Sequence, residues 1–458
     1  MRIVIFGTGK IYTQFRSKVN RKDIIVAFLD NDKRKWGKEL DGVYIYAPED
    51  INQIDYDVIV LASQYAIQMK EQLIELGCSE NEIIHCDEYK ECNKDSKIYY
   101  PAIEMKLPEK RRCAIVCQSL GYHGGAIAAL YCALALQECN INVDIIAEDG
   151  NSNMISDMNR KGISVIICPN ISIEKWKSIE WIENYDYILV NTLPMILCAL
   201  EISKHRSVYL WLHDSDNIYE YMNFWKDKII QGLENKNLKI CAVSNVAKQN
   251  FYKWITKCNI EVLPCGIADT DYSFSVNSKI VFAVIGSIHP IKGQDLLIQA
   301  VKRLPSYIYE QVEFWIIGKE SDMDFYHKLQ EDAKNIKCTK FMGEIEKEEL
   351  KQMYSSIDIV IIPSRKETMS LVAIEAMSHG KLCIVSDAAG ITDYLEDEKN
   401  SLIFSSENIG ALADKIEWCL QNKNALIQLK KNAREIYEKY FSLKNFKKDL
   451  IKVLRIEE

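Results

Sequence analysis

A chain of 458 residues has room for about three domains of roughly 150 residues each. Its 48% apolar and 27% charged residues describe an ordinary globular protein, and a net charge of −8 argues against a nucleic-acid partner, because phosphate binding needs a basic face. The 15 cysteines are scattered, with no Cys-x-x-Cys and no Cys/His cluster at zinc spacing; this reads as free thiols in a reducing cytoplasm and no metal site. The chain opens directly into an apolar strand rather than a signal peptide, and no apolar run approaches the roughly 20 residues of a membrane helix.

The first block, 1–89, predicts strands at 3–7, 24–30, 57–62 and 83–86. Phe6-Gly7-Thr8-Gly9-Lys10-Ile11-Tyr12 follows the first strand, and Asp30 ends the second about twenty residues later. That is most of a dinucleotide-binding fingerprint, with Tyr12 where the third glycine belongs. Gly7, Gly9 and Asp30 are therefore candidate ligand residues for a nucleotide or NAD, and a scaffolding or docking module is the favoured alternative. Asp30 and Asp32 serve equally well as turn residues. The polar stretch 90–110, with Pro101 and Pro108, reads as a linker. Two basic clusters, Lys106-Lys110-Arg111-Arg112 and Lys204-His205-Arg206, could touch anionic lipid, although a solvated surface is the simpler meaning.

The second block, 111–276, predicts strands at 113–118, 143–147, 164–168, 187–191, 208–212 and 240–243. The third, 277–440, predicts strands at 280–286, 313–318, 358–363 and 382–386. Continuous Val/Ile/Leu runs joined by helical stretches indicate parallel sheets covered on both faces, an α/β class. Segment 443–454 is an amphipathic helix in a tail, 441–458, expected to pack back on the second block. Two doubly wound domains in tandem leave a cleft between them, a favoured place for a ligand.

Glu367 and Glu375 stand eight apart between the predicted strands 358–363 and 382–386. Strand, loop, helix, strand is a parallel crossover, so Glu367 lies at the carboxyl end of a strand, where open sheets bind ligands. Glu375 falls about one turn inside a helix that Ser370 can cap. That helix is apolar nearly all round and so buried, and a buried carboxylate needs donors such as sugar or ribose hydroxyls. A favourable helix dipole or a solvated loop would explain either residue alone. In the third block Gly286 ends a strand, and Lys292 stands at the entry of the next helix, placed for a diphosphate.

With these residues the chain from about 111 to 455 resembles a retaining glycosyltransferase of family 4, with the GT-B fold of two Rossmann-like domains around a cleft. The landmarks come in family order: Gly124-Gly125, Leu212-His213-Asp214, Ala242-Val243-Ser244, Pro264-Cys265-Gly266-Ile267-Ala268-Asp269, Gly286 to Gly293, Phe341-Met342-Gly343-Glu344, Pro363-Ser364, the Glu-x7-Glu stretch and Ala389-Gly390. The resemblance implies a metal-independent hexosyltransferase that needs no cofactor and takes a UDP- or GDP-linked sugar as donor. It implies that Glu375 binds the ribose, Glu367 faces the sugar, and Thr368, Met369, Ser370 and Leu371 hold sugar or diphosphate with their backbone. Lys292 would neutralise the leaving diphosphate, with His213 and Gly125 facing it from the opposite domain. His123 and His289 are weaker candidates, and Asp214 is either a partner orienting His213 or exposed. The implied acceptor is a surface glycan, lipid-linked at the inner face of the membrane, with peripheral membrane contact. The first block resembles the small Rossmann-like domain at the N-terminus of some sugar-modifying acetyltransferases.

The sequence departs from the family in three places. Ser287 stands where an arginine is common after Gly286, and Arg365 or Lys366 is expected to replace that cation. Met369-Ser370 replaces an aromatic-glycine pair, and Asn400-Ser401 replaces Asn-Gly. Two rival readings follow: another GT-B enzyme, such as a phosphorylase or a sugar-nucleotide epimerase, and a non-catalytic nucleotide-sugar-binding regulator or assembly subunit. A phosphorylase would need a pyridoxal phosphate lysine that the third block does not identify.

Overall fold

The computed structural model describes residues 1–16, 19, 23–89, 97–99, 111–169, 171–172, 184–256 and 258–456. Three sheets follow one another along the chain. The first has six strands in the order Glu39–Leu40, Val43–Tyr46, Ile24–Leu29, Arg2–Phe6, Val58–Leu61, Ile83–His85. Among the described residues its one antiparallel pair is a hairpin turned at Asp41-Gly42, both at positive φ, the conformation a two-residue hairpin turn requires.

The second sheet has eight strands, ordered Ile260–Val262, Leu238–Ala242, Val208–Leu212, Tyr187–Asn191, Arg112–Leu120, Asn142–Gly150, Ser164–Ile167, Lys97–Tyr99. The third has six, ordered Thr339–Gly343, Val312–Ile317, Ile280–Ile285, Ile359–Ile362, Leu382–Ser386, Leu402–Phe404. Among the described residues, all pairings in these two sheets are parallel except that of Lys97–Tyr99 with Ser164–Ile167. Val208–Leu212 and Leu382–Ser386 are buried at every residue, as strands covered on both faces must be.

The predicted central strands are all present. The sequence reading missed short strands at the margins, Glu39–Leu40, Val43–Tyr46, Lys97–Tyr99, Ile260–Val262, Thr339–Gly343 and Leu402–Phe404, most of them with a polar residue. Lys97–Tyr99 falls inside the expected linker 90–110 and forms the edge of the second sheet; the rest of that stretch, with Lys106 and Lys110, lies outside the described residues.

One continuous core joins the second sheet to the inner face of the third and to the C-terminal helix, while the first sheet has cores of its own. The chain returns from the third sheet to the second through Phe441, whose carbonyl accepts the Ile267 N–H at 2.9 Å. The helix Leu443–Leu454 then runs beside Gly124–Gln137, with Phe446 stacked on Trp211 at 5.7 Å. The first sheet meets the second at His85, ringed by Tyr221, Phe224 and Trp225.

Candidate functional site

In each sheet the strand order reverses beside its first strand, and loops at such a point splay apart to leave a crevice. In the second sheet the reversal lies between Arg112–Leu120 and Tyr187–Asn191; in the third it lies between Ile280–Ile285 and Ile359–Ile362. The loops after these four strands carry Gly124-Gly125, Thr192, Lys292 and Glu367. Gly293 turns the Lys292 loop into its helix at φ +72°, and a Cβ there would lie 2.0 Å from the Pro363 carbonyl oxygen. Only glycine lets these two loops approach so closely.

That approach pairs Lys292 with Glu367. The ammonium donates to Glu367 Oε2 at 2.5 Å, and the Ser364 hydroxyl donates to the same oxygen at 3.2 Å. The Gly390 N–H fixes the backbone by donating to the Glu367 carbonyl at 2.9 Å. Both side chains line a cavity of about 250 Å³ whose opposite wall is Gly124, Gly125 and His213 of the second sheet, with Lys366, Thr368, Met369 and Leu371 completing it. Ser370 caps the helix Leu371–Ser378 by accepting the Ala373 N–H at 3.3 Å.

The Glu367 loop is tied across the cleft. The Thr368 hydroxyl donates to the His213 carbonyl at 2.6 Å, the Ser244 hydroxyl donates to the Thr368 carbonyl, and Lys366 pairs with Asp216 at 2.9 Å. Sequence reasoning missed Ser244 and Asp216 as members of the site, since nothing local marks a bond spanning more than a hundred residues. Burial pushes the His213 imidazole down to about 3, His123 adding to the effect, so the ring is neutral at physiological pH. Its buried Nε2 has no hydrogen-bond partner among the described residues. Asp214 is neither exposed nor an orienting partner of that ring: it is half-buried and accepts the Leu193 N–H at 2.7 Å. Burial raises its carboxyl to about 6, against the pull of that bond. The bond steadies Thr192, which holds φ +81°, a strained value for a β-branched residue, beside Gly125.

Glu375 opens into a neighbouring cavity of about 220 Å³, walled by Leu130, Tyr131, Ala268, Lys347, Tyr354 and His379 among others. The two glutamates thus face separate compartments of the same seam. No described residue donates a hydrogen bond to the Glu375 carboxylate; burial pushes it up to about 6, with Lys347 opposing. It is a poised acceptor.

Other expected site residues lie elsewhere. Arg365 does not supply a replacement cation in the Glu367 cavity: its guanidinium grips Asp295 through two nitrogens at 2.9 and 2.8 Å and reaches Glu407 at 3.0 Å. Gly286 ends its strand at φ +142° beside the exposed Ser287, whose carbonyl accepts from Gln294 at 2.9 Å; neither lines the Glu367 cavity. His123 caps the helix Gly124–Gln137, and His289 caps the turn Pro290–Lys292.

In the first sheet, Asp30 accepts from the Thr8 N–H at 3.1 Å, from the Thr8 hydroxyl, from Lys35 at 2.8 Å and from the Asp32 N–H at 2.9 Å. Burial alone would raise its carboxyl, but the bonds from Lys35 and Thr8 prevail and hold it below the usual value. The helix beyond Gly7 and Gly9 is only six residues long. His85, Cys86 and Asp87 bring ligand atoms within 4.8 Å of one another, yet His85 Nδ1 already accepts the Asp87 N–H at 3.2 Å.

Residues 271–436 match the family model described as glycosyl transferases group 1, and residues 1–84 match one described as C2185-like, N-terminal. The acetyltransferase resemblance of the first block has no counterpart in these matches. A D-inositol 3-phosphate glycosyltransferase of Mycobacteroides abscessus is 30% identical over 163 residues, 34% of this chain and 35% of that protein. The chain thus spans only about a third of that relative's length. Among solved structures, Anabaena HepE in complex with UDP and glucose superposes with a TM-score of 0.62 at 19% identity, over 75% of this chain and 99% of that one. Sucrose-phosphate synthase from Thermosynechococcus elongatus gives 0.63 at 17%, over 76% and 98%. These likenesses establish a GT-B fold with an added N-terminal sheet domain, and residues 271–436 carry the sequence of a group 1 glycosyl transferase domain within it.

Proposed function

We propose that the chain is a glycosyltransferase that moves a hexose from a nucleoside diphosphate sugar, with retention, to a surface-glycan acceptor. The observation that carries this reading is the Lys292–Glu367 pair lining a cavity closed by His213 and Gly125, beside a second compartment where Glu375 stands without a donor. In it, Glu375 accepts the ribose hydroxyls, Lys292 neutralises charge growing on the diphosphate, and Glu367 exchanges its bond to Lys292 for one to the sugar. The acceptor oxygen bonds to the anomeric carbon as the bond to the diphosphate oxygen breaks, and the acceptor proton passes to the departing phosphate. Such a route asks for positioning and charge stabilisation rather than a strong nucleophile. A neutral His213 suits it as a hydrogen-bond partner, not as a cation. The HepE structures with UDP and glucose and with UDP-glucose support the donor class.

On this reading 111–276 is the acceptor-side domain, 277–440 the donor-binding domain, 441–458 the returning tail, and 1–89 a docking module. The protein acts in the cytoplasm without metal or cofactor, peripheral to the inner face of the membrane. A panel of UDP-, GDP- and dTDP-sugars tests it: slow release of nucleoside diphosphate from one donor, lost in Glu375→Ala, is the expected result. With Ser287 exposed and Arg365 sequestered, the replacement cation falls to Lys366, half exposed and paired with Asp216, which favours a second reading, a nucleotide-sugar-binding regulator. Tight donor binding with no turnover, even with cell extract as acceptor, would establish that reading instead.

A further inference from the structure

Beside the Glu375 compartment lies a larger open cavity, of about 540 Å³, that shares Glu348, Lys351, Tyr354 and His379 with it and is bordered by Asp271 and Ser273. Two largely buried side chains border it, their polar ends without partners among the described residues. Lys381 is 1% exposed, and its ammonium donates to no described residue; Tyr354 is 2% exposed, and its hydroxyl has no hydrogen-bond partner among the described residues. Asp358 cannot serve Lys381, because its oxygens already accept from Lys430 at 3.0 Å, from Asn277 and from the Val281 N–H. Burial and the nearby Lys430 lower Lys381 to about 8, with the charge of Asp358 opposing, which leaves it largely charged at neutral pH. A buried ammonium with no acceptor is costly unless an anion meets it. The rest of the lining is mixed. His379 lies flat on Tyr354 at 4.3 Å, its Nδ1 anchored to the Asp271 carbonyl at 3.0 Å, while Lys351 and Glu348 are exposed at the mouth.

We propose that this cavity is a second ligand site, for a small hydroxylated phosphoryl anion of the sugar-phosphate class. Lys381 and Lys351 take the phosphoryl oxygens, and Asp271 and Glu348 accept from hydroxyls. A bare phosphate would leave the acidic half of the lining unused, and a neutral sugar would leave Lys381 unpaired.

Titration calorimetry with glucose 1-phosphate and with inorganic phosphate tests this on the full chain and on Lys381→Met, Lys351→Ala and Lys292→Ala. Glucose 1-phosphate should bind more tightly than phosphate, at least tenfold more weakly in Lys381→Met and several-fold more weakly in Lys351→Ala, and this Lys381-dependent binding should persist in Lys292→Ala, which removes only binding in the Glu367 cavity. Lys351 is exposed, so its variant decides the matter if Lys381→Met fails to fold. The proposal is overturned by an absence of saturable binding, or by equal affinity for inorganic phosphate, which would mean an adventitious ion only. Loss in Lys292→Ala with retention in Lys381→Met overturns it too, because the anion then occupies the Glu367 cavity. Since Lys292 is spared in the expected pattern, failure here leaves the donor reading standing.

Discussion

Two loops at strand ends in this chain each hold an acid against a lysine, and their surroundings differ. At the first sheet Asp30 meets Lys35 at 2.8 Å, and Thr8 and the Asp32 N–H take up its remaining acceptor capacity. At the third sheet Glu367 meets Lys292 at 2.5 Å, but the second sheet stands opposite and leaves about 250 Å³ between them. The first acid is a strut; the second can exchange its partner for a ligand. A glycine loop and an acid at a switch point become a site where a facing domain keeps space open and the acid's own neighbours do not saturate it.

The strongest challenge to this contrast is Lys292→Ala. Removing a preorganised charge from this cavity should lower turnover by roughly 10²–10³-fold, measured as nucleoside diphosphate release; a loss under about tenfold would place the phosphates elsewhere. Next is Glu375→Gln, which should weaken donor binding by roughly ten- to a hundred-fold, as expected for one charge-assisted hydrogen-bonding group. Its pH dependence follows from burial. The carboxyl rises from its ordinary 4.5 to about 6, so the empty protein binds the extra proton between those values. The Glu375 contribution to stability should therefore fall as pH climbs through that window, by no more than about 2 kcal/mol, and level off above it, with Asp214, raised over the same range, adding a fall of the same sign. Affinity for a nucleoside diphosphate sugar, whose phosphates do not titrate there, should move the opposite way, rising towards pH 7. If the Glu375→Gln protein kept this rise, the assignment would be refuted.

Asp30→Ala should cost about 2 kcal/mol of stability in the first sheet, read by local hydrogen exchange, and leave donor binding intact. Donor binding lost there would make the strut a site. Arg365→Ala should cost about 1 kcal/mol through its two-pronged grip on Asp295 and shift donor affinity less than twofold, checked by melting and titration together. The smallest effect belongs to Asp216→Ala. Its bond with Lys366 is half exposed, so the loss should be about 0.5 kcal/mol and vanish in high salt.

Much of this was legible in the residues. The continuous apolar runs of the central strands, the Ser370 cap and the burial of the Glu375 helix depend on windows of a few residues, where period and composition carry the information. The margins were not legible. Leu402–Phe404 is three residues long, and Glu39–Leu40 is two, too short for any period to show. Arg365 was misjudged for another reason: proximity to Glu367 in sequence said nothing of Asp295, which lies 70 residues away and claims the guanidinium. Asp214 likewise pointed to its neighbour His213, whereas its carboxylate bonds the Leu193 backbone.

Local pattern alone is enough to specify three largely parallel α/β sheets, and to put Glu367 at a strand end and Glu375 on a buried helix. Which charges are spent on one another is settled later, when the sheets assemble. Assembly joins Lys292 to Glu367 across 75 residues and Thr368 to His213 across 155, and it leaves Glu375 and Lys381 facing open volume. The reason is that a polar group's availability is set by what the fold packs against it, and that is a property of the assembled cleft rather than of any segment.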